Sequence, residues 1–143
     1  MKRIAVCLIL IILISGCVKE SDVYVSKVID GDTIVLSNGE HVRLLGINAP
    51  EKDEYYYNEA TERLTELVAY KQVRLESDKT NRDTYGRLLR YVYVNDKMVN
   101  SKLLEEGCAR LYIFESDKKY EKSFIYAENY AKNQNLGIWN NNH

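Results

Sequence analysis

Between Val23 and Ile47 the chain sets down three runs of β-branched and apolar residues with almost nothing between them: Val23 to Ile29, Thr33 to Leu36, and His41 to Ile47. The breaks are Asp30-Gly31 and Ser37-Asn38-Gly39-Glu40, and the second carries the Asn-Gly pair that favours a tight hairpin turn. Connections this short permit only antiparallel neighbours, so the chain opens as a three-strand meander. Pro50, the only proline, ends the third strand. The register then turns helical. Ala60, Leu64, Leu67 and Val68 recur at the spacing of one helix face, which predicts an amphipathic helix from about Asp53 to Ala69 with Asp53 as its cap.

Two further strands follow, Gln72 to Glu76 and Arg87 to Val94, separated by a charged loop from Ser77 to Gly86. Asn95-Asp96 reads as a turn, Asn100 as the cap of a short helix ending at Gly107, and Ala109 to Phe114 as an extended piece. A last helix is predicted from about Lys118 to Gln134, with the single Trp139 packing back on the domain. Five strands, a helix inserted between the third and fourth, and more helices toward the end predict an α+β fold, a β-barrel with helices: a five-stranded Greek-key barrel of the OB type with three helices. Element order alone leaves a ubiquitin-like or split-barrel fold open.

A chain of 143 residues has room for one such domain, and its first residues read as something else. Lys2 and Arg3 precede an uninterrupted apolar run from Ile4 to Ile14, which is short of the roughly 17 to 25 residues of a membrane span. Ile14-Ser15-Gly16-Cys17 follows, an order that resembles the lipobox of exported lipoproteins. The reading is a signal peptide over residues 1–16, a lipid-anchored linker over 17–22 with Cys17 as the lipidated residue, and a folded domain over 23–143. A plain cleaved signal or an uncleaved anchor is the alternative; every version puts the domain outside the cytoplasm, held at the cell membrane or secreted.

Loss of Lys2 and Arg3 with that leader takes the net charge from −1 to −3. Binders of the nucleic-acid backbone are usually basic, so bulk charge argues for no polyanionic partner and any such binding has to be local. Cys108 is then the one cysteine left in the domain, which excludes an intrachain disulfide, and its neighbours Gly107 and Ala109 read as core. With two histidines in the chain, a His-ligated zinc or copper site is disfavoured.

The residues with chemical potential cluster near the meander. Asp32 follows Gly31, as turn acids do. Arg43 is harder to dismiss: it lies in an otherwise apolar strand, so it either points outward or has an anionic partner. Glu51 follows Pro50, where a helix-start acid is ordinary, and Arg87 stands where a solvated strand-start arginine is ordinary. Together they form an inventory for cutting a phosphodiester. Oxygen ligands hold a hard cation, guanidinium groups pair with phosphoryl oxygens, and a carboxylate activates water. No Ser-His or Cys-His arrangement points to a covalent intermediate. The Tyr55-Tyr56-Tyr57 run reads equally well as a base-stacking surface or as helix packing.

Val28-Ile29-Asp30-Gly31-Asp32-Thr33, Val42-Arg43-Leu44-Leu45-Gly46-Ile47-Asn48-Ala49-Pro50-Glu51, Asp83-Thr84-Tyr85-Gly86-Arg87 and Met98-Val99-Asn100 stand in the order seen in the staphylococcal nuclease (thermonuclease) family, which the chain resembles from about Val23 to Trp139. The resemblance implies an OB-fold, Ca²⁺-dependent endo- and exonuclease acting on single-stranded DNA and RNA, leaving 3′-phosphate ends, and working as a monomer. It assigns Asp32, Asn48 and the Ala49 carbonyl to the metal, Asp30 to its surroundings, and Arg43 and Arg87 to the phosphate. Glu51 becomes the base for water, and Tyr85 and Tyr112 line the nucleotide pocket. Where the family pattern has Asp-Thr before Pro-Glu, this chain has Asn48-Ala49; Asn brings an oxygen but no charge, so weaker calcium binding is expected. The alternatives are a noncatalytic OB module that binds nucleic acid or a protein, and a lipoprotein whose barrel is a scaffold for envelope assembly.

Overall fold

The computed structural model describes residues 23–140. The signal peptide over 1–16, Cys17 and the linker over 17–22 lie outside the described residues. The meander forms as β1 (Val23–Asp30), β2 (Thr33–Leu36) and β3 (His41–Leu44), and is followed by a short β4 (Ile47–Asn48), α1 (Tyr57–Val68), β5 (Gln72–Glu76) and β6 (Leu88–Val94). After these come β7 (Lys97–Met98), α2 (Val99–Glu105), β8 (Arg110–Leu111), α3 (Glu121–Asn133) and a 3₁₀ turn at Gly137–Trp139. The sheet runs β3-β2-β1-β5-β6-β7, and a parallel pairing of β3 with β6 closes it, so five strands form a barrel with β7 as an appended edge and three α-helices outside it.

Apolar side chains explain the closure. Ile34, Val42, Leu44, Leu45, Leu89 and Val92 point inward with no more than 1% of their surface exposed, each stabilising the fold by roughly 1.5–3 kcal/mol. From α1, Ala60, Leu64 and Val68 are fully buried against them. Asn100 fastens one end of the barrel. Its carboxamide oxygen accepts the Val92 N–H at 2.9 Å and its amide donates to the Leu45 carbonyl at 2.9 Å. It lies inside α2, fully buried, and is no helix cap as the sequence implied, because these cross-chain bonds take the side chain.

Several boundaries move for physical reasons. The third strand breaks after Leu44 instead of running to Ile47, because Gly46 adopts φ 78° and a Cβ there would stand 2.4 Å from the Phe124 ring. α1 starts at Tyr57, not near Asp53; Asp53 and Tyr56 both take φ 72°, so the chain turns twice before it can propagate a helix. The extended piece after Gly107 is limited to Arg110–Leu111, and the last helix is shorter at both ends than predicted. Trp139 does pack back, with the Arg110 and Lys132 cations 5.0 and 4.5 Å from its ring.

The charged loop between β5 and β6 is clasped to the segment ahead of α3. Buried Asp117 accepts the Thr80 N–H at 2.8 Å and the Thr80 hydroxyl at 2.7 Å, and Asp78 accepts the Tyr91 hydroxyl at 2.9 Å and the Lys119 N–H at 3.0 Å. Among the described residues no helix is long and apolar enough to cross a membrane.

Candidate active site

The turn between β1 and β2 presses into the molecule. A Cβ on Gly31 would lie 2.6 Å from the Ala49 Cβ and 3.0 Å from that of Ala60, so only glycine lets the turn come this close. The approach carries Asp32 to the chain after β4, where its Oδ2 accepts the Ala49 N–H at 2.8 Å. Its Oδ1 accepts the Thr33 hydroxyl at 3.0 Å and pairs with Arg43 Nε at 3.1 Å. Asp32 is 6% exposed and Arg43 7%: a buried ion pair, and neither a solvated turn acid nor an outward arginine.

Every edge of the Arg43 guanidinium is engaged. Nη1 donates to the Leu44 carbonyl at 2.7 Å and the Ile47 carbonyl at 2.8 Å, and Nη2 donates to Asn48 Oδ1 at 2.8 Å. The break at Gly46 makes this possible, since it folds the chain back so that Ile47 and Asn48 face the strand they left. Burial pushes the Asp32 carboxyl up to about 6, against the pull of Arg43 and the Ala49 N–H. Burial likewise lowers Arg43, with Asp32 working in the other direction. Glu51 is exposed, close enough for its charge to act on Arg43, and its N–H donates to Glu54 Oε2 at 2.7 Å.

Arg87 reaches the same place from a hairpin loop between Arg82 and Leu88. Its Nη1 lies 3.5 Å from Thr33 Oγ1, while Nε donates to Asp83 Oδ2 at 2.7 Å. Asp83 Oδ1 also accepts the backbone N–H groups of Tyr85 and Arg87, each at 3.0 Å. Burial opposes the Asp83 charge, but these bonds outweigh it and hold the carboxyl below its ordinary range. Tyr85 is 84% exposed with its ring 5.5 Å from the Arg87 guanidinium, and both line a cleft of about 400 Å³ with Gly39, Glu40, His41 and Gly86. Tyr112 is exposed beside β4, its N–H donating to the Gly46 carbonyl at 3.0 Å and its ring edge-on to Phe114.

The fold therefore gathers Asp32, Asn48, Ala49 and Arg43 by direct bonds, brings Arg87 in through Thr33, and leaves Glu51 at the open side. Asp30 accepts the Asp32 N–H at 3.1 Å and so shapes the turn. Sequence reasoning gave Thr33 and Asp83 no part. Thr33 gives no signal, whereas an acid four residues before Arg87 in a hairpin is a legible ion pair. For a cation the set of Asp32, Asn48 and the Ala49 carbonyl is all oxygen, which suits a hard ion such as Ca²⁺. Among the described residues no three Asp, Glu, His or Cys side chains converge, here or elsewhere, so Asp32 is the one carboxylate of this set.

Residues 41–141 match a family model described as staphylococcal nuclease homologue. The chain is 42% identical over 132 residues to the SPbeta prophage-derived endonuclease YokF of Bacillus subtilis (strain 168), covering 85% of this chain and 45% of that protein. It is 43% identical to endonuclease YncB of the same organism, covering 82% and 61%, and 37% identical to the thermonuclease of Staphylococcus intermedius, covering 80% and 74%. The chain thus spans about half the length of the first relative and three fifths of the second.

Proposed function

The chain belongs to the staphylococcal nuclease family, and from that membership we propose that it is a phosphodiesterase that hydrolyses single-stranded DNA and RNA with Ca²⁺, leaving 3′-phosphate ends. The observation that carries the reading is the convergence of Arg43 and Arg87 on the Asp32–Thr33 turn, with Glu51 close by and exposed. A phosphodiester repels nucleophiles and gains charge on the way to its transition state, so donors fixed in advance around the phosphate do most of the work.

Arg43 is built for that task. Two backbone carbonyls fix Nη1, leaving Nε and Nη2 as a parallel edge now given to Asp32 and Asn48. That edge would pair with two phosphoryl oxygens in exchange for the acid and the amide, and Arg87 supplies a second fork across Thr33. Asp32, Asn48 and the Ala49 carbonyl would hold the cation, which when bound would offset phosphate charge. Glu51 takes the proton from the attacking water. Cys108 is buried in the core, and that burial pushes its thiol up, as suits a packing residue and not a nucleophile.

The lipobox-like Ile14-Ser15-Gly16-Cys17 supports a protein tethered by lipid outside the cytoplasm, where nucleic acid from other cells is the available substrate. The test is direct: the full chain with single-stranded oligonucleotides, in calcium and in EDTA, with phosphatase analysis of the product ends. Calcium-dependent cleavage leaving 3′-phosphate is expected. Binding without cleavage would favour the noncatalytic OB module.

A further inference from the structure

Arg87 rides on a hairpin whose tip stands clear of the barrel: Tyr85 is 84% exposed, and a Cβ on Gly86 would meet nothing within 4 Å. Asp83 holds the Arg87 side chain within the hairpin, and the neighbouring Arg82 ties the hairpin itself to the barrel. Its Nη1 donates to Glu40 Oε2 at 2.8 Å and its Nη2 to Glu40 Oε1 at 3.0 Å, a two-point fork. The same Nη1 donates to the Gly86 carbonyl at 2.7 Å, so one guanidinium joins the far side of the hairpin to Glu40. Arg82 also faces Leu88 across the hairpin base.

Glu40 is well placed to serve as the fixed end. It is the last residue of the β2–β3 turn, its carbonyl accepts the Leu36 N–H at 2.9 Å and its own N–H donates to Asn38 Oδ1 at 3.1 Å. It lies directly before β3, the strand that carries Arg43. One ion pair thus links the strand bearing the first arginine to the loop bearing the second, across the cleft that Glu40, His41, Tyr85 and Arg87 line together.

Resting on the nuclease reading above, we infer that the Glu40–Arg82 fork is a positioning clamp that sets the separation of Arg43 and Arg87 on the scissile phosphate. Neither residue touches the reacting atoms; both act through the Arg87 loop. An exposed ion pair contributes little to global stability. A phosphate held at two points is sensitive to the placement of each, so the loss belongs in turnover and not in unfolding.

The experiment compares the full chain with Glu40→Gln, Arg82→Gln, Arg82→Lys and the Glu40→Gln/Arg82→Gln double variant. It records kcat and KM on a single-stranded oligodeoxynucleotide in calcium, Tm, and the ¹⁵Nε–¹H NMR signal of Arg87. Either single Gln variant is expected to lower kcat about tenfold, with KM within twofold and Tm nearly unmoved. The double variant should fall no further than either single, Arg82→Lys should lie between, and the Arg87 signal should shift in every variant. A purely structural pair would lower Tm and leave the Arg87 signal in place. Unchanged kcat and an unmoved Arg87 signal in a wild type that cleaves would overturn the clamp and leave the nuclease reading standing. A wild type that does not cleave, with the Arg87 signal still shifting on Arg82→Gln, would overturn the nuclease reading and keep the tether.

Discussion

Arg43 and Glu51 stand a few residues apart in the chain and call for opposite experimental signatures. Arg43 is buried and joined to Asp32, Asn48 and two carbonyls, so Arg43→Ala strands a carboxylate that burial already penalises. Breaking a buried pair by removing one partner costs about 3–5 kcal/mol, and urea denaturation should record a loss of that size along with abolished turnover. Glu51 is exposed and touches the fold chiefly through its backbone, so Glu51→Gln should leave the denaturation midpoint in place. Its kcat should nevertheless fall about 10²- to 10⁴-fold, and a variant that kept full turnover would remove Glu51 from its role. The sequence left Arg43 two ways to answer its charge inside Val42-Arg43-Leu44-Leu45, an outward turn or an anionic partner, and its burial against Asp32 decides for the second. The burial of Asp32 was not, because Gly-Asp pairs mark turns whether or not the turn is pressed inward, and that depends on Ala49 and Ala60, distant in sequence.

Among elements, the β1–β2 turn and the loop clasp make separate predictions. Gly31→Ala forces a methyl into the contact with Ala49 and Ala60, an overpacking that costs about 1–3 kcal/mol, and by shifting Asp32 it should weaken cation binding by calorimetry even where the variant folds. Asp117 joins the charged loop to the approach of α3. Burial disfavours its charge, yet the hydroxyls of Ser116 and Thr80 and the backbone N–H groups more than offset this and keep the carboxyl below its usual range. A depressed carboxyl contributes stability above its unfolded pKa and loses it as pH falls through the folded value. Asp117→Asn should therefore cost about 1–2 kcal/mol near neutral pH, with the gap to wild type closing below about pH 4 in acid titrations followed by circular dichroism. Strands, the meander and both long helices were readable from periodicity, because alternation and helical spacing report which faces are covered. Their ends were not: the stop at Leu44 depends on Phe124 arriving over Gly46, and the late start of α1 depends on two left-handed residues that carry no sequence mark.

At the scale of the molecule, the five barrel strands and the order of motifs agree, and the site's two arginines come from opposite sides of the closing seam. Arg43 lies on β3 opposite Leu89, and Arg87 immediately precedes β6, so the parallel register of Val42 with Leu88 and Leu44 with Arg90 brings Arg87 to the seam two residues short of the position facing Arg43, close enough for its charge to act on that arginine. That pairing joins chain segments far apart in sequence and forms against the entropy of a long loop. On the proposed nuclease reading, hydrolysis times the folding: after dilution from denaturant, cleavage should return no sooner than the slowest step that joins β3 to β6, while helical circular dichroism recovers earlier. On that same reading, a nascent chain carries every chemical group the site needs and does no cutting until the ring is shut.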